Sequence, residues 1–157
     1  MSQLNKLLRA VLGAGILAGF LDALAAILQY LALGGRTPAI IFKYIASALM
    51  GPEAFAGGTG MVVLGVCIHF AFALFFAWVF FAIYPKVSTR NWPALLWAIL
   101  YGLAVWAFMN LVALPLSRIS AVKQSSEQLI LSVLIIIFAV GLPIVLCTRA
   151  FYKARHN

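Results

Sequence analysis

Residues 11–33 read VLGAGILAGFLDALAAILQYLAL, an apolar run broken by a single charge, Asp22. A helix needs about 20 such residues to cross a hydrocarbon core of about 30 Å, so this run is long enough to span a bilayer. An ionisable side chain at that depth is costly and turns toward a partner or a wet cavity. Asp22 is therefore both a packing constraint and a candidate site. Ala23-Leu24-Ala25 imitates a signal-peptide cleavage site, but Asp22 interrupts the apolar region before it and hydrophobicity resumes through Leu33. The segment reads as a retained span.

Three further runs, 61–83, 93–116 and 128–147, have the same character. Hydrophobic residues make up 66% of the chain and charged residues 9%, with a mean hydropathy of +1.11. Soluble domains carry about a quarter of their residues as charges. The expected fold is an all-α integral membrane protein, one helical-bundle domain over 1–157 with four transmembrane helices. Its net charge of +8 does not suggest nucleic acid, because the basic residues sit in small groups at the ends of the apolar runs. Lys6, Arg9, Lys86, Arg90, Arg149, Lys153 and Arg155 fall on one side, against Arg36, Lys43, Arg118 and Lys123 on the other, where Glu53 and Glu127 also lie. That bias places both termini in the cytoplasm. Trp78, Tyr84, Trp92, Trp97 and Tyr152 cluster toward the same boundary as an aromatic belt.

Between the first two runs, Thr37-Pro38 reads as a helix start and Gly51-Pro52 as a stop. The helix over 38–50 is too short to cross. Its residues Ile41, Tyr44, Ile45, Ala48 and Leu49 recur on one face, with Lys43 free to snorkel. It is either a plain amphipathic interfacial helix or, with the glycine-rich stretch 56–60, a re-entrant cap over an outward-facing cavity.

Span one carries a stripe of small and polar residues, Gly15, Gly19, Asp22, Ala26 and Gln29. Span two offers Gly65, His69, Ala73 and Ala77; span three offers Ala98, Gly102, Trp106 and Asn110. Gly15, Gly19, Gly65 and Gly102 are the expected close-packing positions, and the G-x-x-x-G step at Gly15 and Gly19 favours a homo-oligomer. Counted at about 1.5 Å per residue, Asp22 lies roughly 18 Å from the cytoplasmic boundary and His69 and Asn110 roughly 24 to 26 Å. Helix tilt and side-chain length bridge that spread. Asp22, His69, Asn110 and Gln29 are thus the candidate buried polar site. One reading makes it a working site, with Asp22 titrating, His69 as its partner and Asn110 positioning by hydrogen bond. The other makes it interhelical glue that sets the bundle's register.

Classical chemistry is missing. Cys67 and Cys147 lie at opposite depths, roughly 20 Å apart by helical rise, and cannot bridge. There is no C-x-x-C pair, no glycine-rich phosphate loop, no Ser/His/Asp arrangement and no second membrane histidine for haem. No catalytic residue, cofactor or metal site is expected. A membrane enzyme using an Asp/His acid-base pair has little else to stand on. Ser125 and Gln128 read as a capping box opening span four, while Pro115 and Pro143 should end, bend or loosen their spans.

Leu21-Asp22, Gly34 to Pro38, Ile45-Ala46-Ser47, Gly51, Ala54-Phe55, Gly57-Gly58, Leu64-Gly65 and His69-Phe70 together resemble a widespread, uncharacterised family of small four-span bacterial inner-membrane proteins. The resemblance continues through Tyr101-Gly102, Met109-Asn110, Pro115-Leu116-Ser117 and Gly141-Leu142-Pro143, so it covers nearly the whole chain. A more distant similarity to YagU-like proteins rests on His69, Tyr84, Pro85-Lys86 and Pro115. Members of the family often carry a histidine before the Gly-Leu-Pro turn, where this chain has Ile137, Phe138, Ala139 and Val140. The resemblance implies a four-span inner-membrane fold and a shared pattern at Asp22, His69 and Asn110, without a substrate. The expected function is proton-linked transport or sensing of a small solute. The alternative is an accessory protein that binds a membrane partner or lipid. In either case membrane lipids are its surroundings and nucleic acid is not a partner.

Overall fold

The computed structural model describes residues 2–87, 92–119 and 125–156. Arg90 and Lys123, both used in the charge comparison, lie outside the described residues. Among those described, the regular elements are all helical: α1 (Gln3–Ala32), α2 (Ala39–Met50), the single turn α3 (Glu53–Ala56), α4 (Thr59–Val87), α5 (Ala94–Leu116) and α6 (Ser126–Arg155). Helices α1, α4, α5 and α6 are each long and apolar enough to cross a membrane, and α2 is the short helix expected between the first two. Helix α5 coincides with its predicted apolar run, whereas α4 and α6 extend past theirs at both ends and α1 at its start, because hydropathy marks only the hydrocarbon-facing part of a helix. Their polar ends close with ordinary caps. The Ser2 hydroxyl accepts the Asn5 N–H at 3.3 Å. At the start of α6 the capping box is complete, with Gln128 N–H donating to Ser125 Oγ at 3.3 Å and Ser125 N–H to Gln128 Oε1 at 3.0 Å.

Glycines set how the helices pair. A Cβ on Gly15 would lie 2.9 Å from the Cα of Leu74, and one on Gly19 would lie 2.9 Å from the Phe70 ring, so α1 presses directly onto α4. At Gly102 it would lie 2.7 Å from the Cα of Ile137, and at Gly141 2.6 Å from the Ala98 carbonyl, which brings α5 onto α6. At Gly65 it would overlap the Phe42 carbonyl, so α2 lies against α4 with no room for a side chain between them. All four glycines expected at close approaches are found there, and Gly141 joins them. The G-x-x-x-G face expected to meet another copy is instead covered by the chain's own second span.

Two π-helical turns, Met109–Ala113 in α5 and Ile136–Gly141 in α6, share one cause. Each ends one residue before a Leu-Pro step, Leu114-Pro115 and Leu142-Pro143. Proline lacks the N–H that should bond four residues back, and its ring crowds that carbonyl. A locally widened turn accommodates both defects. The prolines thus loosen their helices as expected, through a wider turn.

The half of the bundle nearest the termini is filled. Val11, Ala14 and Ala18 of α1 pack with Phe76, Ala77, Phe80 and Phe81 of α4, Ala98 and Val105 of α5, and Val140, Ile144 and Val145 of α6. Tyrosines tie helices together there: Tyr101 OH donates to the Phe76 carbonyl at 2.5 Å and Tyr152 OH to the Phe81 carbonyl at 3.0 Å. Arg149 Nη1 donates to the Trp92 carbonyl at 3.1 Å, next to the tilted Trp92–Trp97 ring pair. On the outer face of α1, Leu12, Ile16, Phe20, Leu24 and Leu28 are exposed, as suits contact with lipid.

The close contact at Gly65 yields a paired prediction. Overpacking costs about 1–3 kcal/mol, so Gly65→Ala should lower the melting temperature of the purified protein by about 3–10 °C. Gly13→Ala, where nothing lies within 4 Å of the added Cβ, should leave it unchanged or slightly raised.

Candidate functional site

The other half of the bundle is not filled. It holds a chamber of about 750 Å³, open on one side, between the far ends of α1, α4, α5 and α6. Phe76, Val105 and Val140 belong to both the packed core and the chamber wall, so they form its floor. Tyr44, Ile45, Ala48 and Leu49 of α2 lie across it, and Ser117 and Ile119 close the rim after α5. That rim is tied down: the Arg118 N–H donates to the Ala48 carbonyl at 3.0 Å. Helix α2 itself is bounded by Gly34 and Gly51, both at positive φ (87° and 74°), where a side chain would be strained. Lys43, expected to snorkel freely, instead donates through Nζ to the Phe55 carbonyl of α3 at 3.2 Å. The expected amphipathic face of α2 is therefore turned onto the bundle, in keeping with a cap over a cavity.

Asp22 and His69 stand on the chamber wall. Because Gly19 lets α4 approach α1 closely, the His69 ring reaches the Gly19 carbonyl, with Nε2 2.8 Å from the oxygen. A carbonyl only accepts, so Nε2 carries the hydrogen. The other ring nitrogen, Nδ1, faces Asp22 Oδ2 at 4.0 Å. Asp22 follows Gly19 by three residues and so shares its face of α1. The ring is held edge-on between Phe42 of α2 (centroids 6.4 Å apart) and Phe70 (5.4 Å). The His69 side chain is 12% exposed and that of Asp22 26%, so the carboxylate is the more open of the pair.

The two other expected members are elsewhere. Asn110 Nδ2 donates one turn back along its own helix to the Trp106 carbonyl at 2.9 Å. Trp106 Nε1 in turn points to Ser132 Oγ of α6 at 3.4 Å. The stripe Ala98, Gly102, Trp106, Asn110 does face the bundle interior, but it is aligned on α6, as the contacts of Gly102 and Ala98 already show. The direction the stripe takes around the helix turns it to α6 and not to the pair. Gln29 lies about 10 Å along α1 from Asp22 and is not among the chamber-lining residues.

Sequence reading did not assign Tyr44 and Ser117 to the site, nor the aromatic wall of Phe72, Phe75, Phe76 and Phe108. Tyr44 lay on a segment readable as interfacial, and Ser117 on a helix end. Burial pushes the Tyr44 phenol up from its ordinary value, so it stays a neutral donor. Both π turns border the chamber through Met109, Val112, Ala113, Ile136 and Val140. Such turns occur often at functional sites because they redirect side chains within an otherwise regular helix.

No protein family, curated protein or solved structure matches this chain. Among the described residues, no three His, Cys, Asp or Glu side chains come close enough to hold a metal ion. Cys67 and Cys147 are both free thiols.

Removing the interhelical bond should be felt more than removing the local one. His69→Ala should cost about 1–3 kcal/mol, from the Gly19 bond and the packing between the two phenylalanines. Asn110→Ala should cost about 1 kcal/mol or less. Chemical denaturation of both variants beside wild type checks the order.

Proposed function

We propose that this chain is a small carrier or sensor of the bacterial inner membrane, one that binds a small, mainly apolar solute in the chamber and links binding to a proton on the Asp22–His69 pair. The observation that carries this reading is the position of the pair, on the wall of an open cavity rather than sealed inside the packed half. The placement of basic residues supports cytoplasmic termini, since seven of the 11 lie at the terminal end. The chamber then lies toward the opposite side, above the packed floor. The resemblance to four-span inner-membrane proteins supports the same location.

Proton counting gives the pair its chemistry. With Nε2–H committed to Gly19, one proton between Nδ1 and the carboxylate makes the pair neutral, as a carboxylic acid beside an imidazole or a carboxylate beside an imidazolium. Without that proton the wall carries one negative charge. A separation of 4.0 Å exceeds direct hydrogen-bond length, leaving space for a water or a polar group of the solute. Tyr44 and Ser117 supply further hydroxyls at the rim.

Glue is the rival reading, favoured by the bond from His69 to the Gly19 carbonyl, which joins two spans. Water access separates the two. On a background with Cys67 and Cys147 replaced by alanine, Ala48→Cys and Ala113→Cys should react with a membrane-impermeant, charged thiosulfonate at rates within about tenfold of a cysteine in an exposed loop. Protection of both positions, with the loop cysteine labelled normally, would favour glue.

A further inference from the structure

Resting on the reading of the chamber as a binding site, we infer that its solute is a lipophilic cation: an amine or other organic cation with an aromatic or branched apolar body, exchanged for a proton at Asp22. Among the described residues, the lining carries one ionisable acid and no lysine or arginine. An anion would meet an uncompensated carboxylate in apolar surroundings. A neutral apolar solute would desolvate that carboxylate and return nothing to it. A cation with an apolar body satisfies both parts of the wall. The groups facing Asp22 do not compete for that role. From α4 comes His69, whose Nε2–H is already given to Gly19; from α2 comes Tyr44, a neutral phenol; α5 and α6 contribute no titratable side chain to the lining.

The rest of the wall fits the body of such a solute. Phe72, Phe75, Phe76 and Phe108 offer ring faces and edges, and Phe76 and Phe108 are locked edge-to-face at 5.6 Å. Aromatic faces attract organic cations as well as apolar groups. A chamber of about 750 Å³ matches the small-molecule range. The exchange balances in charge: the cation enters as the pair's proton leaves, and the wall remains neutral in both states. A low-dielectric site holds either a proton or a cation against that carboxylate, and holding both at once is unfavourable.

Three probes of one skeleton test the charge class: a diphenylpropylamine, the corresponding alcohol and the corresponding carboxylate. Wild type, Asp22→Asn, Asp22→Glu and Ala113→Trp are titrated in lipid nanodiscs, with empty nanodiscs as the partition control. Melting temperature and, in weak buffer, proton release are followed. The amine should raise the melting temperature saturably in wild type and in Asp22→Glu, release a proton on binding and bind more tightly as pH rises. Its affinity should fall by about tenfold or more in Asp22→Asn, and binding should vanish in the chamber-filling Ala113→Trp. Retention in Asp22→Glu separates loss of charge from loss of fold. Equal responses to amine and alcohol, both lost in Ala113→Trp, would overturn the cation assignment and leave the chamber as a binding site. An undiminished amine response in Asp22→Asn, or a stronger response to the carboxylate, would also overturn it. A response to none of the probes overturns it as well, and with Ala48→Cys unlabelled the binding reading falls too.

Discussion

Gly19 has no side chain, and the polar wall of this bundle depends on that absence. Its missing Cβ lets α4 come within contact of the α1 backbone, and only at that distance does the His69 ring reach the Gly19 carbonyl. The bond then sets the ring's tautomer and turns Nδ1 toward Asp22, one turn further along α1. Without water in the hydrocarbon region, a polar side chain that loses its protein partner has few substitutes. One backbone contact therefore positions the histidine, and through it the environment of Asp22, the only acidic residue on the chamber wall among the described residues.

The two halves of the bundle divide the work of folding and the work of a site. At the terminal end, phenylalanines from α4 interlock with small residues of α1 and α5, and tyrosine hydroxyls clamp carbonyls across helices. At the other end, two prolines widen α5 and α6 and α2 is laid across the opening. A well-filled bundle would need none of these irregularities. Together they keep a volume open above the packed floor.

Much of the fold was legible because hydropathy and punctuation act locally. The four spans, the short helix with its stop at Gly51, the capping box at Ser125 and all four packing glycines follow from composition and spacing, and the structure places each near its expected position. The site was legible only in part. Depth along a helix can be counted from its boundary, which brought Asp22 and His69 to one level. The direction a stripe faces depends on which neighbour packs against it, and that is a property of the whole bundle. Asn110 shows the difference: it belongs to the stripe of α5 that meets α6. The chamber was hidden for a related reason, since a cavity is made by residues from every helix and leaves no periodic signal in any one of them.

The most direct test of the account is the protonation of the His69 ring. Nitrogen NMR of the imidazole in lipid, with His156→Gln leaving a single histidine, should show hydrogen on Nε2. Nδ1 faces the carboxylate, so Asp22→Asn should change the Nδ1 chemical shift at a fixed pH. A ring with hydrogen on Nδ1 and a bare Nε2, or an Nδ1 signal that Asp22→Asn leaves unmoved, would contradict the contact on which the site is built.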